Sequence, residues 1–328
     1  MPDALMEIAG LSVGFPSPGG ELLAVQDVSL SLRPGEVLGM VGESGAGKSL
    51  AGAALAGLLP APARVLAGTL SIGGERIDMH DGDRMSRLRG TTVSMIFQDP
   101  LAALDPLMRV GDQLLETIRR VRRLAPAPAR TLAIELLAST GLPEPETQMR
   151  RYPHQLSGGM RQRVVIALAM APGPRILVAD EPTTALDVRT QARILALLRG
   201  IADEQGVAIL VISHDLGVIA AIADRTAVLY AGRIVETGST ATLVHAPKHP
   251  YTRGLIDSLA SVHARKALLA PIPGSPPHAG ALPGGCAFHP RCGDRIERCM
   301  FERPPLLRAH GREIACWVAA GDPSDPKR

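Results

Sequence analysis

The chain has 328 residues, 46% of them hydrophobic and 20% charged, and its formal net charge is +3. That length supports a large buried core in one large or two unequal domains, and a charge this close to balance does not demand nucleic acid or acidic lipid as a partner. No uncharged apolar run reaches the roughly 18 residues of a membrane-spanning helix. Residues 1–10 include Asp3 and Glu7 and lack a basic region, so they do not read as a secretory signal; the expected location is the cytosol, with any membrane reached through a partner.

Residues 11–15 and 25–32 alternate like strands around the Pro18-Gly19-Gly20 turn. Residues 35–41 form a short apolar run that feeds into Gly42-Glu43-Ser44-Gly45-Ala46-Gly47-Lys48-Ser49 and then into an Ala/Leu-rich helical segment. This strand–loop–helix context is the one a GxxxxGK[ST] phosphate loop requires. Glycines let successive N–H groups curl toward phosphate oxygens, and the helix N-terminus adds partial positive charge. The expected ATP contacts run from Gly42 through Lys48 and Ser49 to Leu50, with Lys48 on the β- and γ-phosphates and Ser49 on Mg²⁺.

Residues 91–97 read as a further strand, ending at Gln98, which is placed to reach Mg²⁺ and the attacking water. Residues 109–141 turn helical, with Leu114, Leu115, Ile118 and Val121 on one face and two prolines within 125–130 breaking the pattern. The run Arg119, Arg120, Arg122 and Arg123 reads as a solvated helix face. Ser157, Gly158 and Gly159 precede a helix reaching residue 171, and their hydroxyl, N–H groups and helix dipole make a second anion site. Residues 176–179 and 207–212 are continuous apolar runs, as buried parallel strands are. The first delivers Asp180, expected to hold Mg²⁺, and Glu181, the candidate base or water-positioner. The second delivers His214, expected at the γ-phosphate. Residues 226–230 and 233–237 form a strand pair around Ala231-Gly232. Lys48 and Ser157 lie 109 residues apart, so head-to-tail association of two chains would close two ATP sandwiches.

Past residue 240 prolines punctuate an irregular stretch holding all four cysteines, spaced C-x5-C-x6-C-x16-C: Cys286, Cys292, Cys299 and Cys316. Four clustered thiols in a reducing compartment favour a metal over disulfides. The spacing fits no CxxC zinc ribbon, and Zn²⁺ and an iron–sulfur cluster both remain open.

At these residues the chain resembles the ABC transporter ATPases, and within them the D-type dipeptide and oligopeptide permease subunits of the peptide/nickel importer subfamily. The resemblance covers nearly the full length. It rests on VGESGAGKS, MIFQDPLAALDP, YPHQLSGGMRQRVVIALAMA, ADEPTTALDV and SHDLGVIAAIADRTAVLYAGRIVE, and in the tail on HPYTRGL, IPGSPP and GCAFHPRC. It implies an α/β fold: a RecA-like P-loop ABC ATPase core with an N-terminal antiparallel β subdomain, a helical signature subdomain at about 99–165, and an irregular Cys-containing C-terminal extension. The boundaries it implies are 1–240 and 241–328. It makes Lys48, Gln98, Glu181 and His214 the catalytic set, Asp187 the D-loop residue and Phe15 the adenine-stacking residue. Gln162 joins Ser157, Gly158 and Gly159 on the nucleotide. It favours a [4Fe-4S] cluster on the four cysteines, with zinc as the alternative. The implied partners are a second, F-type ATPase subunit, two transmembrane permease subunits and an extracytoplasmic solute-binding protein, with no nucleic acid. The implied place is the cytoplasmic face of the inner membrane, held peripherally.

Two other readings fit less. A soluble ABC ATPase of DNA or ribosomes would separate the phosphate loop from LSGG by coiled coil, or carry two nucleotide domains. A small-molecule kinase leaves LSGGM, the D-loop and the tail unexplained. The transported solute is open: nickel, glutathione and other small solutes use similar ATPases.

Overall fold

A computed structural model describes residues 4–263 and 272–320; the part of the predicted 241–328 extension at 264–271 and 321–328 lies outside them. Strands β1 (Met6–Ser17) and β2 (Gly20–Leu32) form a long antiparallel hairpin, extending the two short strands expected at 11–15 and 25–32. Strand β3 (Val37–Val41) is buried throughout and runs through the glycine loop into helix α1 (Lys48–Leu55). Strands β4 (Arg64–Ile72) and β5 (Glu75–Ile77) then complete a four-stranded antiparallel sheet in the order β2-β1-β4-β5. Neither strand announces itself in the sequence. In β4 the alternation is interrupted at Gly68, where φ is 126° and a Cβ would stand 2.9 Å from the Leu11 Cα; there Gly10 and Leu11 of β1 bulge against this one residue.

After helix α2 (Gly82–Leu88) and strand β6 (Val93–Ile96) comes the helical insert: α3 (Val110–Arg122), α4 (Pro126–Ser139), α5 (Pro145–Gln148) and α6 (Gly158–Met170). The two prolines expected to break a helix instead begin one. Pro126 and Pro128 occupy the first turn of α4, where a missing N–H leaves no intrahelical bond unmade. Strand β7 (Ile176–Asp180), helix α7 (Val188–Gln205), strand β8 (Ala208–Ser213), helix α8 (Leu216–Ile222), and strands β9 (Arg225–Tyr230) and β10 (Arg233–Ser239) follow.

The second sheet runs β11-β12-β10-β9-β3-β8-β7-β6, with β9, β3, β8, β7 and β6 mutually parallel. Strands β3, β7 and β8 are buried along their whole length, which is why each reads as unbroken apolar sequence. They are also neighbours, so their C-terminal ends open side by side. One core cluster fills the space between this sheet, the helical insert and α7–α8; a second lies between the two sheets around α1.

The extension contributes helices α9 (Thr240–His245), α10 (Pro250–His263), α11 (Arg298–Phe301) and α12 (Trp317–Ala320) and strands β11 (Leu307–Ala309) and β12 (Arg312–Ile314). It is less separate than its composition suggests, because β12 pairs with β10 and so continues the ATPase sheet. The join is an ion pair in the interior: Glu236 is 0% exposed and Arg312 3%, with Nη1 and Oε1 2.9 Å apart. The same carboxylate accepts the N–H groups of Lys248 and His249. Arg312→Ala would strand a buried carboxylate and should destabilise the fold by about 3–5 kcal/mol. Denaturation followed through Trp317, the chain's one tryptophan, which lies in the extension, measures this; an unchanged midpoint would mean the pair does not hold the extension.

Candidate functional site

The phosphate loop owes its shape to close backbone approaches. Gly45 and Gly47 have φ of 81° and 95°, a region that favours glycine. A Cβ on Gly42 would stand 2.2 Å from the Leu229 carbonyl oxygen, and one on Gly47 would stand 2.6 Å from that of Ala24. The Gly232 N–H also donates to the Ala46 carbonyl at 3.0 Å. The loop is thus clamped between β2 and the β9–β10 turn. Lys48 is 5% exposed, and its Nζ donates to the carbonyls of Gly42 (2.7 Å) and Glu43 (2.9 Å). Burial lowers its pKa, against the opposing charges of Glu181, Asp180 and Glu43. Ser44, Gly45 and Ser49 are exposed, Ala46 is buried and Leu50 half-buried.

Neighbouring strand ends bring the carboxylates to this loop. The Ser49 hydroxyl donates to Asp180 Oδ1 at 3.0 Å. Burial raises the Asp180 pKa, partly offset by that hydrogen bond. Glu181 turns off the end of β7 with φ of 47°, a strained conformation for a residue with a side chain, and its N–H is tied to the Ile212 carbonyl of β8. Three groups converge on its carboxylate. His214 Nδ1 lies 2.8 Å from Oε1; the Thr184 hydroxyl and Gln98 Nε2 donate to Oε2 at 2.7 and 3.2 Å. Burial alone would raise this carboxyl, but the hydrogen bonds from His214 and Thr184 and the charges of His214 and Lys48 outweigh it and hold the pKa below the usual value. The structure therefore brings Lys48, Ser49, Gln98, Asp180, Glu181 and His214 together from four separate segments. Thr184 joins them without having been expected, although its spacing, three residues past Glu181 in the turn, is visible in ADEPTT.

The LSGG segment lies apart. Ser157 caps α6, its hydroxyl accepting the Met160 N–H at 3.3 Å. Ser157, Gly158 and Gly159 line an open depression with Asp187, Thr190, Arg163 and Arg193, and no phosphate-loop residue lines it. Asp187 caps α7 by accepting the N–H groups of Arg189 and Thr190 and the Thr190 hydroxyl. The expectation for Gln162 is not met in the single chain. It faces inward on α6 and is 2% exposed, so it presents almost no surface to a nucleotide. Phe15 is half-buried on β1 and pairs with Leu22 of β2, the strand whose Ala24 carbonyl abuts Gly47.

The four cysteines are free thiols that line a single cavity, closed in part by His249, Phe288 and Trp317. Burial pushes Cys286 up to about 11, with the neighbouring Cys299, Cys316 and Cys292 adding to the shift. As they stand, no group of three or more His, Cys, Asp or Glu side chains among the described residues is closed into a metal-holding arrangement. The donor chemistry itself, four soft sulfurs around one space, suits a soft metal.

Among the described residues no helix is long and apolar enough to cross a membrane. The ABC transporter family matches residues 25–184, and the oligopeptide/dipeptide transporter C-terminal region matches 235–299. The oligopeptide transport ATP-binding protein OppD of Escherichia coli is 44% identical over 96% of this chain and 93% of its own. The dipeptide transport ATP-binding protein DppD of Bacillus subtilis is 42% identical over 96% and 95%. The dimeric structure of MJ0796, a bacterial ABC transporter cassette, superposes with a TM-score of 0.64 at 27% identity, over 72% of this chain and 98% of that one. With the phosphate loop, the paired carboxylates and LSGG in these positions, the chain belongs to the ABC transporter family and, within it, to the oligopeptide and dipeptide transport ATP-binding proteins.

Proposed function

We propose that this chain is the ATP-hydrolysing motor subunit of a di- or oligopeptide importer, acting in a pair of nucleotide-binding subunits on the cytoplasmic face of the plasma membrane. The observation that carries this reading is the separation of two anion-binding surfaces. One is the phosphate loop with Lys48, beside the Glu181 carboxylate; the other is the LSGG depression, which shares none of its lining with that loop. A second ATPase subunit facing this one would place LSGG over the phosphate loop. That the MJ0796 cassette is dimeric supports a pairing of two such subunits, and the names of the OppD and DppD relatives support the cargo. The further partners are an F-type paralogue as the second ATPase, two permease subunits and a solute-binding protein.

In this mechanism the loop N–H groups receive the triphosphate and Lys48 shifts from the Gly42 and Glu43 carbonyls to the β- and γ-phosphates. Ser49 and Asp180 would hold Mg²⁺, which supplies neutralising charge to the phosphates. Glu181, ionised and oriented by His214 and Thr184, positions the attacking water, and Gln98 links that carboxylate to the helical insert that meets the permease. Phe15 stacks on adenine, and Asp187 lies at the subunit interface. Cys286, Cys292, Cys299 and Cys316 would hold a [4Fe-4S] cluster, with zinc as the alternative, and the group would supply a covalent staple to a region short of large apolar residues.

Glu181→Gln should retain ATP binding, accumulate a closed dimer and lose about 10²–10³-fold in kcat; single-turnover hydrolysis and sedimentation measure both. Parental turnover would remove Glu181 from the mechanism. Anaerobic isolation from native membranes should recover two permease subunits and a second ATPase, with about four iron and four sulfide per chain. Recovery of ribosomes or DNA without permeases would overturn the transport reading. A sample with neither iron nor zinc would overturn the metal-bearing tail.

A further inference from the structure

Among the described residues, two side chains of the extension hydrogen-bond to Glu43 of the phosphate loop. The Glu43 N–H donates to the Tyr251 hydroxyl at 2.8 Å. Its carboxylate accepts a forked pair from Arg291, Nη1 to Oε2 at 2.6 Å and Nη2 to Oε1 at 2.9 Å. Arg291 is 5% exposed at its side chain and is fixed from behind. Its Nε donates to the Pro273 carbonyl at 2.8 Å, and its guanidinium lies 5.8 Å from the Tyr230 ring centre and 5.9 Å from that of Phe288. Tyr230, Tyr251 and Phe288 pack on one another, with ring centres 4.7 to 5.5 Å apart. Glu43 is also the residue whose carbonyl holds Lys48, and its charge is felt at that lysine. An unpaired carboxylate in a loop built to receive a polyphosphate would repel it; a bidentate guanidinium cancels that charge and fixes the loop's entry.

We infer that Arg291 and Tyr251 are positioning residues of the ATP site: the C-terminal extension neutralises and orients Glu43, and so sets the affinity of the phosphate loop for ATP. This inference rests on reading the chain as an ATP-hydrolysing subunit. It makes the extension part of the nucleotide site rather than an appendage. Arg291 ends the turn immediately before Cys292, so the fold of the thiol region determines where the guanidinium lies.

The test is a charge series on the full chain, read by the dissociation constant for a fluorescent ATP analogue with Mg²⁺ and by kcat and KM. Circular dichroism and Trp317 emission report that the extension is intact. Arg291→Met should weaken binding about tenfold by exposing the Glu43 charge, raising KM more than it lowers kcat. Glu43→Gln should tighten binding, because Arg291 then faces the phosphates uncompensated. Arg291→Met combined with Glu43→Gln should recover most of the loss, and Tyr251→Phe should weaken binding less than Arg291→Met. A brace with no electrostatic role predicts instead that every variant binds more weakly and that the double variant is no better than the single one; that pattern, or parental affinity in Arg291→Met, overturns the inference. If Arg291→Met does not fold, the sign of the change in Glu43→Gln decides. A parental chain that binds no ATP would overturn the functional reading and this inference with it, whereas ATP binding at parental affinity in Arg291→Met overturns this inference alone.

Discussion

The core of the hydrolytic centre depends on three buried parallel strands ending side by side, with Gln98 reaching in from the end of neighbouring β6. Strands β3, β8 and β7 are adjacent, and their C-terminal ends deliver the phosphate loop, His214 and the Asp180-Glu181 pair. Ligands collect at such strand ends in open α/β sheets because the backbone there is free to turn outward. The register has to be held tightly for this to work. The Glu181 N–H is tied to Ile212 across β7 and β8, and the glycine loop has no room for a Cβ against Leu229 or Ala24. A shift of one residue in either strand would point Glu181 or His214 to the other face of the sheet.

A second feature is that the two glycine-rich motifs lie on separate surfaces of the chain. The carboxylate at 181 is ionised and oriented, and the lysine is poised within its own loop, but LSGG caps a helix on another surface beside the D-loop. Ser157 and Gly158 are exposed at that helix N-terminus, where backbone N–H groups favour an anion. The positive φ at Glu181 stores backbone strain at the residue on which His214, Thr184 and Gln98 converge. The proposed pairing of two subunits gives the separate LSGG surface a use.

Much of this is legible in the sequence, and the exceptions have physical causes. The strands at 176–180 and 208–213 are readable because burial on both faces leaves nothing but apolar side chains. The phosphate loop is readable because its chemistry needs glycine, lysine and a hydroxyl at fixed spacing. Strand β4 escapes because Gly68, set against the bulge of β1, breaks its alternation, and α4 is obscured because prolines that usually end helices begin this one. The roles of Arg291 and Tyr251 are invisible locally: the ion pair with Glu43 spans 248 residues, and no pattern of composition or period reports a contact of that range. Likewise the pairing of β12 with β10 depends on a buried Glu236–Arg312 ion pair that sequence shows only as two isolated charges.

The central claim is that hydrolysis in one subunit requires the signature segment of another. Its most direct test is Ser157→Arg, an exposed position whose new side chain would fill the anion site without entering the phosphate loop. ATP binding by the isolated variant and hydrolysis by the assembled transporter are measured together. The account predicts near-parental binding with hydrolysis lost. Hydrolysis at the parental rate would contradict it, because LSGG would then not face nucleotide at all.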